Sequence, residues 1–127
     1  MINIPVGVGE LIDKITILQI KRSHISNPLQ RINIDKELSL LLDAGRDILP
    51  LLGDLINKLS FINSELWAVE DKIRACEREE DFGPAFVNLA RHVYILNDER
   101  SIVKKQINQL TKSELTEEKS YTTYTRE

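Results

Sequence analysis

The sequence predicts an all-α fold: an antiparallel bundle of three to four helices with a long hairpin between the third and fourth helices. Two long segments, 52–76 and 86–110, repeat apolar residues at alternating spacings of three and four, which places those residues on one face of a helix. The chain also has only 5 glycines and 4 prolines among its 127 residues. So few chain breakers fit a small number of long elements joined by short turns.

The length and composition predict one domain that spans residues 1–127. A chain of this length buries a real hydrophobic core, and 42% hydrophobic with 29% charged residues is ordinary for a soluble globular protein. Residues 1–7 form an extended lead-in, because Pro5 fixes the backbone there. Residues 113–127 show little helical periodicity, so we expect a tail that frays, part of it after a short helical turn; the alternative is that Tyr121 and Tyr124 dock on the bundle or on a partner.

Composition also narrows the classes of partner. No apolar run approaches the ~20 residues that a membrane-spanning helix needs. The segment MINIPVGVGE lacks the basic and apolar parts of a signal peptide, so we expect a cytoplasmic protein with no membrane partner. A net charge of -3 argues against nucleic acid, and Lys104, Lys105 and Lys112 are too few for a nucleic-acid footprint. The single cysteine excludes an internal disulfide and a multi-cysteine metal site.

The first helix should run from about 8 to 26. Gly7 takes the N-cap position and Glu10 follows three residues later, which is half of a capping box. The main apolar face consists of Val8, Leu11, Ile12, Ile15, Leu18 and Ile25. Ile17 and Ile20 lie on the opposite side, with Asp13 between them. A helix that is apolar on two sides is typical of a central position in a bundle.

The second helix should cover about 28–46, with Asn27 as its N-cap and Pro28 as its first residue. Its inward residues are Ile34, Leu38, Leu41 and Leu42. A heptad register continues from here to residue 52, so one long helix kinked at Pro50 is an alternative. We favour a break at 45–53, because Gly45 and Gly53 cost on the order of 1 kcal/mol each and an interior proline about 3 kcal/mol.

The third and fourth helices carry the longest apolar stripes. The third covers 51–79, and its stripe consists of Leu52, Leu55, Leu59, Ile62, Leu66, Val69, Ile73 and Cys76. After the turn at 82–84, the fourth covers about 84–112, and its stripe consists of Phe86, Leu89, Val93, Leu96, Arg100, Val103, Ile107 and Leu110. Matched stripes predict an antiparallel hairpin. Arg100 is the one charged residue in these stripes, and it therefore needs a partner or a route to solvent.

Polar residues beside the stripes are candidates for a ligand site on the first, third and fourth helices. They are Glu10, Asp13, Lys14, Trp67, Glu70, Asp71, Arg74, Arg91, Tyr94, Asn97, Asp98 and Arg100. If these faces meet, Arg74, Arg91 and Arg100 suit an anionic ligand, since guanidinium groups match carboxylate and phosphate. The simpler interpretation is that Glu70–Arg74 and Glu10–Lys14 are surface pairs and that Arg100 snorkels or pairs with one acid.

The sequence predicts no metal and no cofactor. Glu10-x-x-Asp13 and Glu77-x-x-Glu80 each place two carboxylates one helical turn apart, a spacing that can hold Mg²⁺ and that helical nucleotide pyrophosphohydrolases use. Lys14 intrudes beside the first pair, and the second lies in a charged run, which more often is a solvated helix end. No glycine-rich phosphate loop, nucleophile elbow or zinc spacing is present.

Four stretches together resemble a known family: VGELIDKITILQIK (8–21), INSELWAVEDKIRACE (62–77), FVNLARHVYILNDERSIVKKQIN (86–108) and EEKSY (117–121). The family consists of short helical bacterial proteins of unknown function, sometimes found near surface-polysaccharide and glycosyltransferase genes. The resemblance covers nearly the whole chain and implies that Asn63 and the twelve candidates above occupy the family's motif positions. Gly7 stands where the family often has serine. The resemblance implies no activity.

A second likeness covers only the run ELIDKITILQIKR, which is similar to the all-helical chorismate mutases. Those enzymes place arginine and lysine side chains from several helices around a dicarboxylate substrate. The later basic residues of this chain do not follow their spacing, so the likeness is an analogy.

Two functions remain open. The first is a protein-interaction or accessory module that forms a homodimer, because the two long stripes each extend ~40 Å, farther than the first two helices can cover. The second is a small-molecule binding protein or an enzyme. It would act on an anionic ligand (a sugar phosphate, nucleotide or carboxylate) through a cluster of Asp13, Asp71, Arg74, Arg91, Tyr94 and Arg100. The sequence alone does not decide whether the protein is an enzyme.

Overall fold

The computed structural model describes residues 1–125, which contain four α-helices and no strand. The helices are α1 (Val8–His24), α2 (Pro28–Ala44), α3 (Gly53–Arg78) and α4 (Pro84–Thr111). The contacts between α3 and α4 are the most extensive, and α1 packs against each of the other three helices. The predicted all-α bundle with a long α3–α4 hairpin is confirmed. The expectations for residues 126 and 127 lie outside the described residues.

Each helix ends one or two residues before the predicted position. The first ends at His24, because Ile25 is extended (φ -98°, ψ 123°) and leads into the next helix start. There Asn27 is the N-cap as predicted, and its side chain accepts a hydrogen bond of 3.1 Å from the Gln30 N–H. The second ends at Ala44, since Gly45 follows as the C-cap. The predicted N-cap at Gly7 is confirmed, although glycine supplies no capping side chain.

The predicted break between the second and third helices is confirmed, and the alternative of one helix kinked at Pro50 is wrong. After Gly45 the chain makes turns and one short 3₁₀ helix, Leu49–Leu51, before α3 begins. Leu52 then turns inward and is fully buried. The break lets α3 lie beside α1 instead of continuing the line of α2.

The core is formed by the predicted stripes. Its buried apolar side chains are Ile12, Ile15, Leu18, Ile34, Leu38, Leu52, Leu59, Ile62, Leu66, Val103 and Ile107. Ile20, on the second side of α1, is also buried, as expected for a central helix. The inward position predicted for Leu110 is wrong: 62% of this residue is exposed, because it lies beyond Ile107, the last buried apolar residue of α4.

The α3–α4 hairpin extends past α1. With 17 residues α1 is about 26 Å long, whereas the 26 residues of α3 span about 39 Å. Beyond the reach of α1 the stripe residues are only half-buried, and they include Ile73, Cys76, Phe86, Leu89 and Val93. None of the helices between residues 1 and 125 has the length and apolarity needed to cross a membrane.

Candidate functional site

A buried ion pair joins α1 to α4. The Asp13 carboxylate is 1% exposed and accepts two hydrogen bonds from the Arg100 guanidinium. The Nε–Oδ1 distance is 2.9 Å, and the second bond runs from Nη2 to Oδ2. The hydrogen bonds to Asp13 raise the pKa of Arg100 and outweigh the opposing effect of burial. The predicted pairing of Arg100 with one acid is therefore confirmed, and Asp13 is that acid.

Asn63 on α3 and Thr16 on α1 extend this ion pair into a hydrogen-bond network. The Asn63 amide donates hydrogen bonds of 2.9 Å to Asp13 Oδ1 and 2.9 Å to Thr16 Oγ1. Arg100 also donates a bond of 3.3 Å to Asn97 on its own helix. Every fully buried side-chain nitrogen and oxygen within residues 1–125 has a hydrogen-bond partner. We call Asp13, Thr16, Asn63 and Arg100 the central network, which ties three helices together and is internally satisfied.

A second ion cluster lies one turn farther along α4. The buried Lys104 ammonium contacts Glu10 at 2.7 Å and Glu117 at 2.9 Å, and Lys119 contacts Glu117 at 2.8 Å. Burial alone would lower the pKa of Lys104, but its hydrogen bonds to the two glutamates outweigh burial and raise that pKa. The predicted Glu10–Lys14 pair is wrong, because Glu10 points toward α4 while Lys14 is exposed to solvent.

The segment 113–125, which we call the tail, returns along α4. Ser113 Oγ accepts a hydrogen bond of 3.0 Å from the Val8 N–H and so fixes the start of α1. The tail then pairs Glu118 with Lys105 at 2.9 Å. Farther on, the rings of Tyr124 and Tyr94 meet edge to face with centroids 5.4 Å apart. A tail without helical periodicity is thus ordered by side-chain contacts.

The structure divides most of the candidate residues between two clefts that share Asn97 and Arg100. The outer cleft has a volume of about 940 Å³, lies between α4 and the tail, and includes Glu10, Tyr94 and Asp98. The inner cleft, of about 490 Å³, lies between α1, α3 and α4. Its candidate residues are Trp67, Glu70, Asp71 and Arg74. Asp13 lies beneath Arg100, which therefore separates the two clefts.

Within the inner cleft the ring of Trp67 stacks on His24, with centroids 4.8 Å apart. Arg74 pairs with Glu70 at 2.6 Å, which confirms the predicted surface pair. Arg91 is exposed near the start of α4, in a shallow groove with Pro84 and Val87. Arg74 and Arg100 are therefore already paired with carboxylates, and Arg91 lies apart from both. The three arginines do not converge on one anion.

Sequence reasoning missed Thr16 of the central network and Lys104, Glu117 and Lys119 of the second ion cluster. The sequence did contain a pattern from which the contact of Lys104 could have been predicted. Glu10 and Asp13 lie three residues apart on α1, and Arg100 and Lys104 lie four apart on α4, so an acidic pair faces a basic pair. Opposed charges at helical spacing predict contact between two helices. No periodicity pointed to Glu117, because it lies in the tail.

Glu10 and Asp13, whose spacing on α1 can hold Mg²⁺, both bind cationic side chains in the structure. Within residues 1–125 no group of three or more histidines, cysteines, aspartates and glutamates is arranged to hold a metal ion. The arrangement instead provides two open clefts around a closed ionic network. Such clefts offer binding surfaces for small molecules or peptide segments.

The contact between the tail and Lys104 should weaken at low pH. Lys119 and then Lys104 lower the pKa of the Glu117 carboxyl to about 2 from 4.5. Lys119 belongs to the tail itself, so only the Lys104 contribution depends on docking; this stabilisation is present above about pH 4.5 and is lost as the pH falls toward 2. An NMR titration of the tail amides should follow this loss. Glu117→Gln should loosen the tail around residue 117 already at neutral pH, whereas Glu118→Gln, which removes a more exposed carboxylate, should have a smaller effect.

No curated protein and no solved structure matches the chain. A family model does match, over residues 2–126, and this covers nearly the whole sequence. The match agrees with the resemblance carried by the motifs around Glu10, Asn63 and Arg100. The chain therefore belongs to DUF6165, a family of unknown function.

Proposed function

We propose that the protein is an interaction module that works as a homodimer. The observation that carries this proposal is an apolar groove of about 540 Å³ on the outer face of the α3–α4 hairpin. Phe61 and Ile102 border it and are 66% and 59% exposed. Ile62 and Val103 form its buried floor. Two large apolar side chains this exposed beside a groove are typical of a contact surface.

The charges around the groove favour a second copy of the chain as its occupant. Lys58 lies on the α3 side and Glu99 on the α4 side. Neither forms an ion pair within residues 1–125. A two-fold axis through the groove would bring Lys58 of each copy to Glu99 of the other, since such an interface is self-complementary. Phe61 and Ile102 would then be buried between the copies.

A second apolar surface supports the dimer, and the single cysteine bears on the proposed location. The half-buried stripe of the projecting α3–α4 hairpin adds apolar surface that α1 does not cover. Cys76 is a free thiol, which suits the reducing cytoplasm that we propose as the location.

Analytical ultracentrifugation tests the dimer. We expect the native chain to sediment at twice its mass of 14.6 kDa and Ile102→Glu to sediment as a folded monomer, because a charge in the apolar interface is costly. The matched control is Leu29→Glu on α2, where the side chain is 74% exposed and outside the groove, and it should remain dimeric. A native monomer at high concentration, or a dimer that persists in Ile102→Glu, would overturn the proposal.

A second candidate function is small-molecule binding in the outer cleft. The observation that favours it is the size of this cleft together with its mixture of tyrosines and charged groups. The anionic ligand expected from the sequence needs free arginines. Arg100 is held by Asp13 and Arg74 by Glu70, and Arg91 lies outside both clefts. The outer cleft therefore favours a ligand of different charge.

A further inference from the structure

We infer that the outer cleft binds a small organic cation, such as a quaternary ammonium group, between Tyr94, Tyr124 and Asp98. This inference goes beyond the proposed dimer and does not depend on it, because the groove at Phe61 and Ile102 involves none of these three residues. It gives the second candidate function a ligand class.

The first argument is the balance of charge. All three cations that line the cleft are occupied: Arg100 by Asp13, Lys104 by Glu10 and Glu117, and Lys119 also by Glu117. Asp98 is the remaining charged group of the lining, and it forms no ion pair within residues 1–125. An incoming anion would meet this carboxylate, which no cation of the described chain neutralises, whereas an incoming cation would be attracted to it.

The second argument is the arrangement of aromatic rings. The planes of Tyr94 and Tyr124 meet at 68° in this edge-to-face contact, and both residues line the cleft. Both side chains keep open surface, with 44% and 55% of each residue exposed. Asp98 lies one helical turn after Tyr94 on α4. The pKa of Tyr124 is raised, first by its partial loss of contact with water and then by the negative charge of Asp98. Aromatic faces beside a carboxylate suit an organic cation.

The third argument is an internal example of the same contact. Lys119 places its ammonium group 5.7 Å from the centroid of the Tyr121 ring, which also lines this cleft. The chain thus already holds one ammonium over a tyrosine there. With a volume of about 940 Å³, the cleft has room for a second, external cation beside Tyr94 and Tyr124.

An NMR titration of the full chain with tetramethylammonium chloride tests the inference, with sodium chloride added to the reference to match ionic strength. We expect saturable shifts at Tyr94, Asp98 and Tyr124. Tyr124→Leu should weaken binding roughly two- to fivefold, which corresponds to the ~0.5–1 kcal/mol of an exposed cation–π contact. Asp98→Asn should weaken binding by up to about fivefold, because it removes the charge of an exposed ion pair. The matched control Asp71→Asn removes a carboxylate from the inner cleft and should leave binding unchanged.

Two comparison probes separate charge from shape. tert-Butanol has nearly the same size as tetramethylammonium but no charge, and inorganic phosphate represents the anionic ligand class. Equal binding of tert-butanol at the same residues, binding of phosphate there, or unchanged affinity in Asp98→Asn would each overturn the inference. The absence of saturable shifts would also overturn it. The monomeric Ile102→Glu variant should bind tetramethylammonium as the native chain does, so failure of the dimer and failure of this site are distinguishable.

Discussion

Replacing Asp13 with alanine is expected to lower the free energy of unfolding by about 3 kcal/mol, because removing one partner of a buried ion pair leaves the other charge uncompensated. The Arg100 side chain is 28% exposed, so water compensates part of the loss and the lower end of the usual range applies. Asn63 and Thr16 would also lose their common neighbour. Urea unfolding followed by circular dichroism measures this change directly.

Arg100→Met alone should also be destabilising, because the fully buried Asp13 carboxylate would lose its cation. The double variant Asp13→Leu/Arg100→Met is expected to recover part of the lost stability, since apolar residues of similar volume often replace a buried pair, while Asn63 would still lack its bond to residue 13. A double variant that is as unstable as the two single variants combined would show that the pair is not the unit that stabilises the bundle. A decrease of less than roughly 1 kcal/mol in the free energy of unfolding for Asp13→Ala would lead to the same conclusion.

Gly9→Ala is expected to destabilise the protein by about 3 kcal/mol, because α1 and α4 meet there without space for a side chain. A Cβ atom at Gly9 would lie 2.4 Å from the carbonyl oxygen of Lys104, which belongs to the α4 backbone and has little freedom to move. The shift needed to relieve this contact would also stretch the hydrogen bond of 2.7 Å between the Gly9 N–H and Asn108. Thermal unfolding should show a lower midpoint.

The matched control is Gly53→Ala at the start of α3, where no atom outside the local backbone lies within 4 Å of the new Cβ. Alanine there should leave stability unchanged or raise it by up to about 1 kcal/mol, since it reduces the entropy of the unfolded chain. If Gly9→Ala were as well tolerated as this control, the two helices would not be in the close contact described here.

The helices themselves could be predicted from local pattern. The three–four spacing of residues such as Leu59, Ile62 and Leu66 predicts which face of α3 is buried, because it depends only on the period of one helix. Asn27 predicts the start of α2, and Gly45 contributes to its end, through hydrogen bonds and backbone preferences within a few residues. The same local logic identified Arg100 as a charge in need of a partner.

The identity of each long-range partner depended on tertiary structure. From the sequence, Arg100 could pair with any one of several acids, and Glu10 had Lys14 as its nearest cation. The rotation and axial alignment of α1 against α4 brought Asp13 to Arg100 and Glu10 to Lys104.

The sequence by itself therefore determined the class of fold, the helix faces and the residue types available for a site. Only the tertiary structure decided which charges neutralise one another, and that the tail forms one wall of the outer cleft beside Tyr94. The physical reason is that helix periodicity is a property of neighbouring residues, whereas an ion pair between helices depends on how whole helices are rotated and aligned against each other.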